Sequence, residues 1–268
     1  DQGVDVIHVD WSPPAGGNAK LAALLSKLSG LRMPIEKIES ANREALRRML
    51  ASDPVLADVI PASEAIPGLR KHMILHAGPP IEWARMCGPM RGAVAGIAVF
   101  EGWAPDLETA TNMAAADAFE FHPNHHFDSV GPMTGVTTIN QPVMVVENRA
   151  FENRAFCTIN EGLGKVMRFG GNDAEVLDRL RWLRDTLGDA MGQALRRMGG
   201  IPLKALVARG LTMGDEMHQR NVGCSGLILR AIAPALADTP LPAGALVEAL
   251  SFIGGNDQFF LNIAMAMG

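Results

Sequence analysis

Between His76 and Arg168 the chain has a mixture of residues that the interiors of helices and strands use little. It reads HAGPPIEWARMCGPMRGAVAGIAVFEGW, then FHPNHHFDSVGPMTG, then NRAFCTINEGLGKVMRFG, with Gly and Pro set among His, Arg, Glu, Asn and Lys. Gly weakens the interiors of helices and strands, and Pro removes a backbone donor. Loops that shape a polar pocket use this mixture readily. Candidate chemistry is sought here first.

Outside that segment the patterning is more regular. Val4 to Val9 alternates and predicts a strand. A helix starts near Asn18, and apolar residues from Ile35 to Leu50 fall on one helical face. Asp53-Pro54 has the form of an N-cap followed by Pro in the first turn, which predicts a short second helix. Met73 to Leu75, Val143 to Val146 and Ala155 to Ile159 are strand candidates. Ala93 to Phe100 suits a closely packed helix. Asp106 can cap a helix through Ala116, and Asn172-Asp173 can cap one carrying Val176, Leu177, Leu180, Leu183 and Leu187. Pro202 and Pro242 start further helices. The expected fold is α+β, with a helix-rich C-terminal part. Residues 1–30 begin an α/β domain, residues 31–72 form a small helical domain, and residues 73–268 form an α+β domain that carries the site. The chain opens without Met inside an apparent strand and closes on FFLNIAMAMG, so both ends are read as incomplete.

At 48% hydrophobic residues the chain can bury a large core. A net charge of -5 speaks against nucleic acid as a partner. Arg43, Arg47 and Arg48, and again Arg179, Arg181 and Arg184, lie among acids on helical stretches and read as solvated faces. Cys87, Cys157 and Cys224 are scattered, with no CxxC spacing, which suggests a reducing compartment and the cytoplasm. No apolar run approaches the ~20 residues that span a bilayer.

Four segments carry candidate chemistry. GPMxG occurs twice, from Gly88 to Gly92 with Arg91 inside, and from Gly131 to Gly135. Such glycines turn backbone N–H groups toward an anion. HPNHH supplies His122, His125 and His126 with Asp128 nearby, for proton transfer, substrate binding or metal ligation. Adjacent histidines on one loop rarely reach a single ion, so no metal site is expected. NEGLGKVMRF sets Asn160, Glu161, Lys165 and Arg168 beside Gly162 and Gly164, which suits a phosphate or carboxylate. It lacks the Ser or Thr that follows Lys in a Walker loop. MGDEMHQRN holds Asp215, Glu216, His218, Arg220 and Asn221, and on a helix Asp215 could orient His218 for acid–base work. From these segments the candidate catalytic residues are His76, His126, Asp215 and His218. The candidate binding residues are Gly88, Arg91, Gly131, Gly135, Asn160, Glu161, Gly164, Lys165, Arg168, Arg220 and Asn221.

HAGPPIEWARMCGPMRGA, EGW, VGPMTG, NEGLGKVMRFG, MGDEMHQRN and GNDQFFLNIAMA together resemble the YlbE-like family over nearly the whole chain, from HVDWSPPAGG onward. The resemblance implies a subunit of an oxamate carbamoyltransferase of purine (allantoin) catabolism, encoded beside an FdrA-like protein. It implies partner subunits, homo-oligomers, an α+β fold with a small helical domain, and anionic substrates: carbamoyl phosphate and an oxamate-like carboxylate. Such a transfer needs no cofactor, because donors placed around developing negative charge suffice. Two other functions are weighed: a metal-dependent hydrolase or deaminase using His122, His125 and His126, and a non-catalytic scaffold for an FdrA-like partner.

Overall fold

The computed structural model describes residues 7–28 and 35–268. The chain divides into two compact units, Asp1–Ala51 and Ser52–Gly268. The first unit contains α1 (Ala19–Leu28) and α2 (Ile35–Ala51). Asn18 caps α1, its Oδ1 accepting from the N–H groups of Lys20 and Leu21 at 3.1 Å each. Along α2, Arg43 pairs with Glu39, and Arg47 and Arg48 both pair with Glu44. Those two arginines hold the Glu44 carboxyl down at about 2. Residues 4–6 of the expected first strand lie outside the described residues, and residues 7–9 join no strand.

The second unit begins with β1 (Pro54–Pro61), α3 (Ala62–Ala65), β2 (Met73–His76), α4 (Gly88–Phe100), α5 (Leu107–Ala115) and β3 (Glu120–Pro123). There follow β4 (Ser129–Val130), β5 (Val136–Thr137), β6 (Pro142–Asn148) and β7 (Asn153–Thr158). The remainder is α6 (Ala174–Trp182), α7 (Asp189–Met198), β8 (Ile201–Pro202), α8 (Leu203–Thr212), α9 (Val222–Ala237), α10 (Ala243–Gly255) and α11 (Leu261–Met267). A π-helical turn, Leu183–Gly188, joins α6 to α7. The architecture is α+β with a helical C-terminal part.

The helix expected from Pro54 is a strand. Val55, Leu56 and Val59 are 2% exposed or less, and β1 pairs antiparallel with β6 from Pro54 opposite Asn148 to Pro61 opposite Pro142. Pro is tolerated at the first residue of a strand, and here the long-range pairing overrides the capping signal. Residues 54–72 therefore belong to the sheet-bearing unit and not with α2.

One sheet has the order β4-β7-β6-β1-β8 and the other β3-β2-β5. Along β6, Val143 and Val145 enter a smaller core with Met73, Leu75, Phe156 and Ile66. Met144 and Val146 point the other way, into the main core with Cys157 and the C-terminal helices. Burial on both faces explains why this strand reads as an unbroken apolar run. The capping residues act as their sequence suggests. Asp106 accepts from Thr109 N–H at 2.7 Å and Asp173 from Val176 N–H at 3.2 Å. Among the described residues no helix is long and apolar enough to cross a membrane.

Candidate functional site

The three glycine-rich segments meet. GPMRG is the first turn of α4, with Pro89 inside that turn. GPMTG is a tight turn before β5, where Gly135 N–H donates to Pro132 O at 2.8 Å. NEGLGKVMRFGG loops back between them. A Cβ placed at Gly92 would come 2.6 Å from the Gly170 carbonyl oxygen, and one at Gly170 would come 2.8 Å from Pro89 Cα. Asn172 Nδ2 donates to Gly92 O at 3.1 Å. From the other side, the Thr134 hydroxyl donates to the Arg168 carbonyl. Gly92 and Gly170 are thus required by close backbone approach.

Between GPMTG and NEGLG lies a cavity of about 30 Å³, lined by Gly135, Gln141, Asn160, Glu161, Arg168 and Asn262 among others. Arg168 is half-buried; one of its terminal nitrogens donates to Gly162 O at 3.0 Å, and its Nε is buried without a partner. Burial lowers its pKa, with Glu161 opposing. Burial also raises the Glu161 pKa, and that carboxylate accepts from Met167 N–H at 3.1 Å. Asn160 is fixed from both sides. Its Nδ2 donates to Asn262 Oδ1 at 3.1 Å, and its carbonyl accepts from Asn256 Nδ2 at 2.7 Å. Asn262 in turn donates to Thr158 O at 2.8 Å.

The other cations predicted for the site turn elsewhere. Arg91 is exposed, donates to Ala84 O at 2.7 Å and stacks over Trp83 at 5.4 Å. Lys165 is exposed and paired with Asp173. His126 is exposed, edge-on to His125 with ring centroids 4.6 Å apart. Gly88 and Gly164 face open space. Of these residues Arg168, not Arg91 or Lys165, lines the cavity.

The stretch 213–221 is a loop, not a helix. Asp215 does not reach His218. It is buried and caps α9 across the loop, accepting from Gly223 N–H at 3.0 Å and Cys224 N–H at 2.6 Å. His218 and Arg220 are exposed, and Asn221 packs on Gln258. None of this stretch lines the cavity. Local spacing suggested a helical face, but Asp215 bonds forward over eight and nine residues.

His76 ends β2, fully buried, in register with Pro123 on one side and Val136 on the other. Its Nδ1 lies 3.1 Å from Ala77 O. A carbonyl only accepts, so the ring proton is assigned to Nδ1. Burial pushes the His76 pKa down. In HPNHH, His122 leans on Glu120 at 3.5 Å and on the Phe127 ring, while Asn124 is buried. Among the described residues no group of three His, Cys, Asp or Glu could hold a metal ion. The metal-dependent hydrolase alternative therefore finds no ligand set there. Cys157 and Cys224 are buried thiols whose pKa burial raises, Cys224 to about 12.

Gln141, Asn256 and Asn262 are the residues sequence reasoning missed. For Asn262 the signal was a polar side chain inside an apolar run, FFLNIAMA.

A family described as oxamate carbamoyltransferase subunit AllG matches residues 119–268, which include HPNHH, GPMTG and the NEGLG loop. The chain belongs to the AllG family. It is 46% identical over 231 residues to the oxamate carbamoyltransferase subunit AllG of Escherichia coli K12, covering 85% of this chain and 55% of that protein. It is 38% identical over 266 residues to the uncharacterized protein YahG of the same organism, covering 99% of this chain and 56% of that one. A crystal structure of a conserved protein of unknown function from Enterococcus faecalis V583 superposes with a TM-score of 0.84 at 42% identity, over 87% of this chain and 56% of that chain. The AllG-family chain described here thus spans about half the length of these relatives.

Proposed function

We propose that this chain is part of a carbamoyltransferase subunit. The enzyme moves a carbamoyl group between carbamoyl phosphate and a small carboxylate of the oxamate type, in purine (allantoin) catabolism. It works in the cytoplasm, with further subunits that include an FdrA-like chain. One observation carries the reading: Arg168 stands half-buried at a polar cavity with Nε unpartnered, held by Gly162 O. A fixed guanidinium with a free donor suits planar recognition of phosphate or carboxylate. Membership of the AllG family supports the same chemistry.

In the transfer, negative charge grows on the carbamoyl oxygen and on the departing phosphate. Arg168 stabilises that charge, with the amide of Asn160 and backbone N–H groups beside it. As it stands the cavity of about 30 Å³ has room for about one water. Entry of a larger anion requires the GPMTG turn, latched through Thr134 to the Arg168 carbonyl, to open. Arg168→Met should weaken carbamoyl phosphate binding by roughly ten- to hundredfold, the loss of one charge-assisted bond. Calorimetry on the assembled complex measures this, with thermal melts as the control for folding. Unchanged binding and turnover would remove Arg168 from the site.

A further inference from the structure

Glu161 stands between two cavities. It lines the inner one, of about 30 Å³, together with Arg168, Gln141 and Asn160. It also lines an outer one, of about 340 Å³, together with Gly162, Ser251, Asn256 and Asp257. The NEGLG loop is the wall between them. Asn160 lines only the inner cavity and Gly162 only the outer, with Glu161 between them in the chain. The wall is held in place. Gly162 N–H donates to Asn160 Oδ1 at 2.8 Å, Asn256 Nδ2 to Asn160 O at 2.7 Å, and Arg168 to Gly162 O at 3.0 Å. Exposed Leu163 also lines the outer cavity, so that side meets bulk water.

The Glu161 carboxylate accepts from Met167 N–H, at 3.1 Å to one oxygen and 3.3 Å to the other. The charges that face it are Arg179 of α6, Arg168 beside it and, across the outer cavity, Asp257. Burial outweighs the two arginines and raises the Glu161 pKa. Of the residues lining the inner cavity, only Glu161 and Arg168 have ionisable side chains. Arginine does not give up its proton at ordinary pH. Glu161 is therefore the one side chain there that can take a proton up, and a raised pKa makes it a stronger base.

We propose that Glu161 is the general base of the transfer, taking the acceptor's proton on the inner side and releasing it to water on the outer side. The proposal rests on the carbamoyltransferase reading. Once the GPMTG turn has opened to admit the substrates, Arg168 holds the donor's phosphate. The acceptor nitrogen forms its bond to the carbamoyl carbon as the C–O bond to phosphate breaks, and that bond's electron pair leaves on phosphate. The nitrogen's proton passes to the Glu161 carboxylate. From there it reaches water in the outer cavity without recrossing the reacting atoms, and Asp257 on that side favours its passage.

The test uses the assembled complex with carbamoyl phosphate and oxamate. Glu161→Gln keeps an oxygen for Met167 N–H and removes the charge and the base. It should lower kcat by about a hundredfold or more. Carbamoyl phosphate affinity, by calorimetry, should be kept or tightened, because a negative charge beside the anion is gone. In the wild type kcat should rise with pH through a step above 4.5, the ordinary glutamate value, and the step should vanish in the Gln variant. Glu161→Asp keeps a carboxylate but withdraws it, so it should keep the step at a reduced kcat. The Asp variant decides the matter if the Gln variant fails to fold: wild-type kcat in it overturns the base. So does a step that survives in the Gln variant, which then belongs to the substrate. A Gln variant that loses carbamoyl phosphate binding along with its rate leaves Glu161 as a support for Met167, and overturns the proposal too. A wild-type complex that binds carbamoyl phosphate but transfers nothing to oxamate overturns the transferase reading and the base with it. Wild-type transfer with unaffected variants overturns the base alone.

Discussion

The two GPMxG copies share four of five residues and fold differently. The first is a helical turn. Gly88 and Pro89 open α4, and the small residues of AVAGIAVF that follow extend it into the main core. The second is a tight turn in which Thr134 adopts φ 61, and β-branched Val136 and Thr137 continue as β5. The downstream residues decide between the two, because four shared residues close no cooperative element. Their neighbours differ as well. The helical copy packs on backbone, at Gly170. The turn copy touches polar groups on both sides: Arg168 through Thr134, and Asn124 against Gly131. The first copy is packing, and the second is where binding is proposed.

The largest effect should come from the packed copy. Gly92→Ala drives a methyl against the Gly170 carbonyl, 2.6 Å away, and backbone on both sides leaves little room to yield. Overpacking of this kind costs about 3 kcal/mol. The melting temperature should fall by roughly 6–12 °C, while substrate binding per folded molecule stays normal. A drop in affinity without a drop in stability would reverse the assignment of the two copies.

Next comes the contrast between cations. Arg168→Met should cost about 1.5–3 kcal/mol of anion binding. Arg91→Met, in the first copy, should leave affinity within about twofold, because Arg91 is spent on Ala84 and Trp83. Equal losses from both variants would put the first copy back in the site.

A smaller contrast appears with pH. Burial depresses the folded-state pKa of His76, so above about 6.5 the residue is neutral in both folded and unfolded chains. As pH falls below that value, the unfolded chain takes up a proton before the folded chain does. Stability therefore declines through the window below 6.5. Glu161 acts with the opposite sign: its pKa is raised, so its burial weakens the fold as pH climbs past 4.5. His76→Gln should flatten the decline between pH 6.5 and 5 in urea titrations. An unchanged slope would mean that His76 charges as freely folded as unfolded.

Much of the frame was legible because its signals are local. Asn18, Asp106 and Asp173 each cap a helix three residues or fewer ahead, and the apolar face of α2 repeats within two turns. Errors fall where a distant partner decides. Asp53-Pro54 matches a helix start, yet β6, some ninety residues on, makes it a strand. Asp215 looked like a partner for His218 and instead satisfies the start of α9. The convergence of glycine segments could be guessed from their composition. Which cation entered the cavity could not, since Arg91, Lys165 and Arg168 look alike until their partners are known. Asn256 and Asn262 hold the NEGLG loop from about a hundred residues away, beyond any spacing rule.

The smallest effect separates the first glycines of the two copies. At Gly88 a Cβ meets nothing within 4 Å, and the residue lies in the first turn of α4 with helical geometry. Ala is the better helix former by up to about 1 kcal/mol in a helix interior, and by less at an end. Gly88→Ala should therefore be neutral to slightly stabilising, within about 0.5 kcal/mol. At Gly131 the same methyl would stand 3.1 Å from Asn124 Nδ2, so the amide must shift by a few tenths of an ångström. A buried side chain with no partner bonds to break can give that distance, and the cost to stability should stay below about 1 kcal/mol. Its effect should appear instead in carbamoyl phosphate affinity, because Gly131 opens the GPMTG turn that borders the Arg168 cavity. Paired melts and calorimetry on the two variants read this directly. If Gly88→Ala weakens carbamoyl phosphate binding as much as Gly131→Ala, the copies do not differ in function, and the division between packing and binding fails.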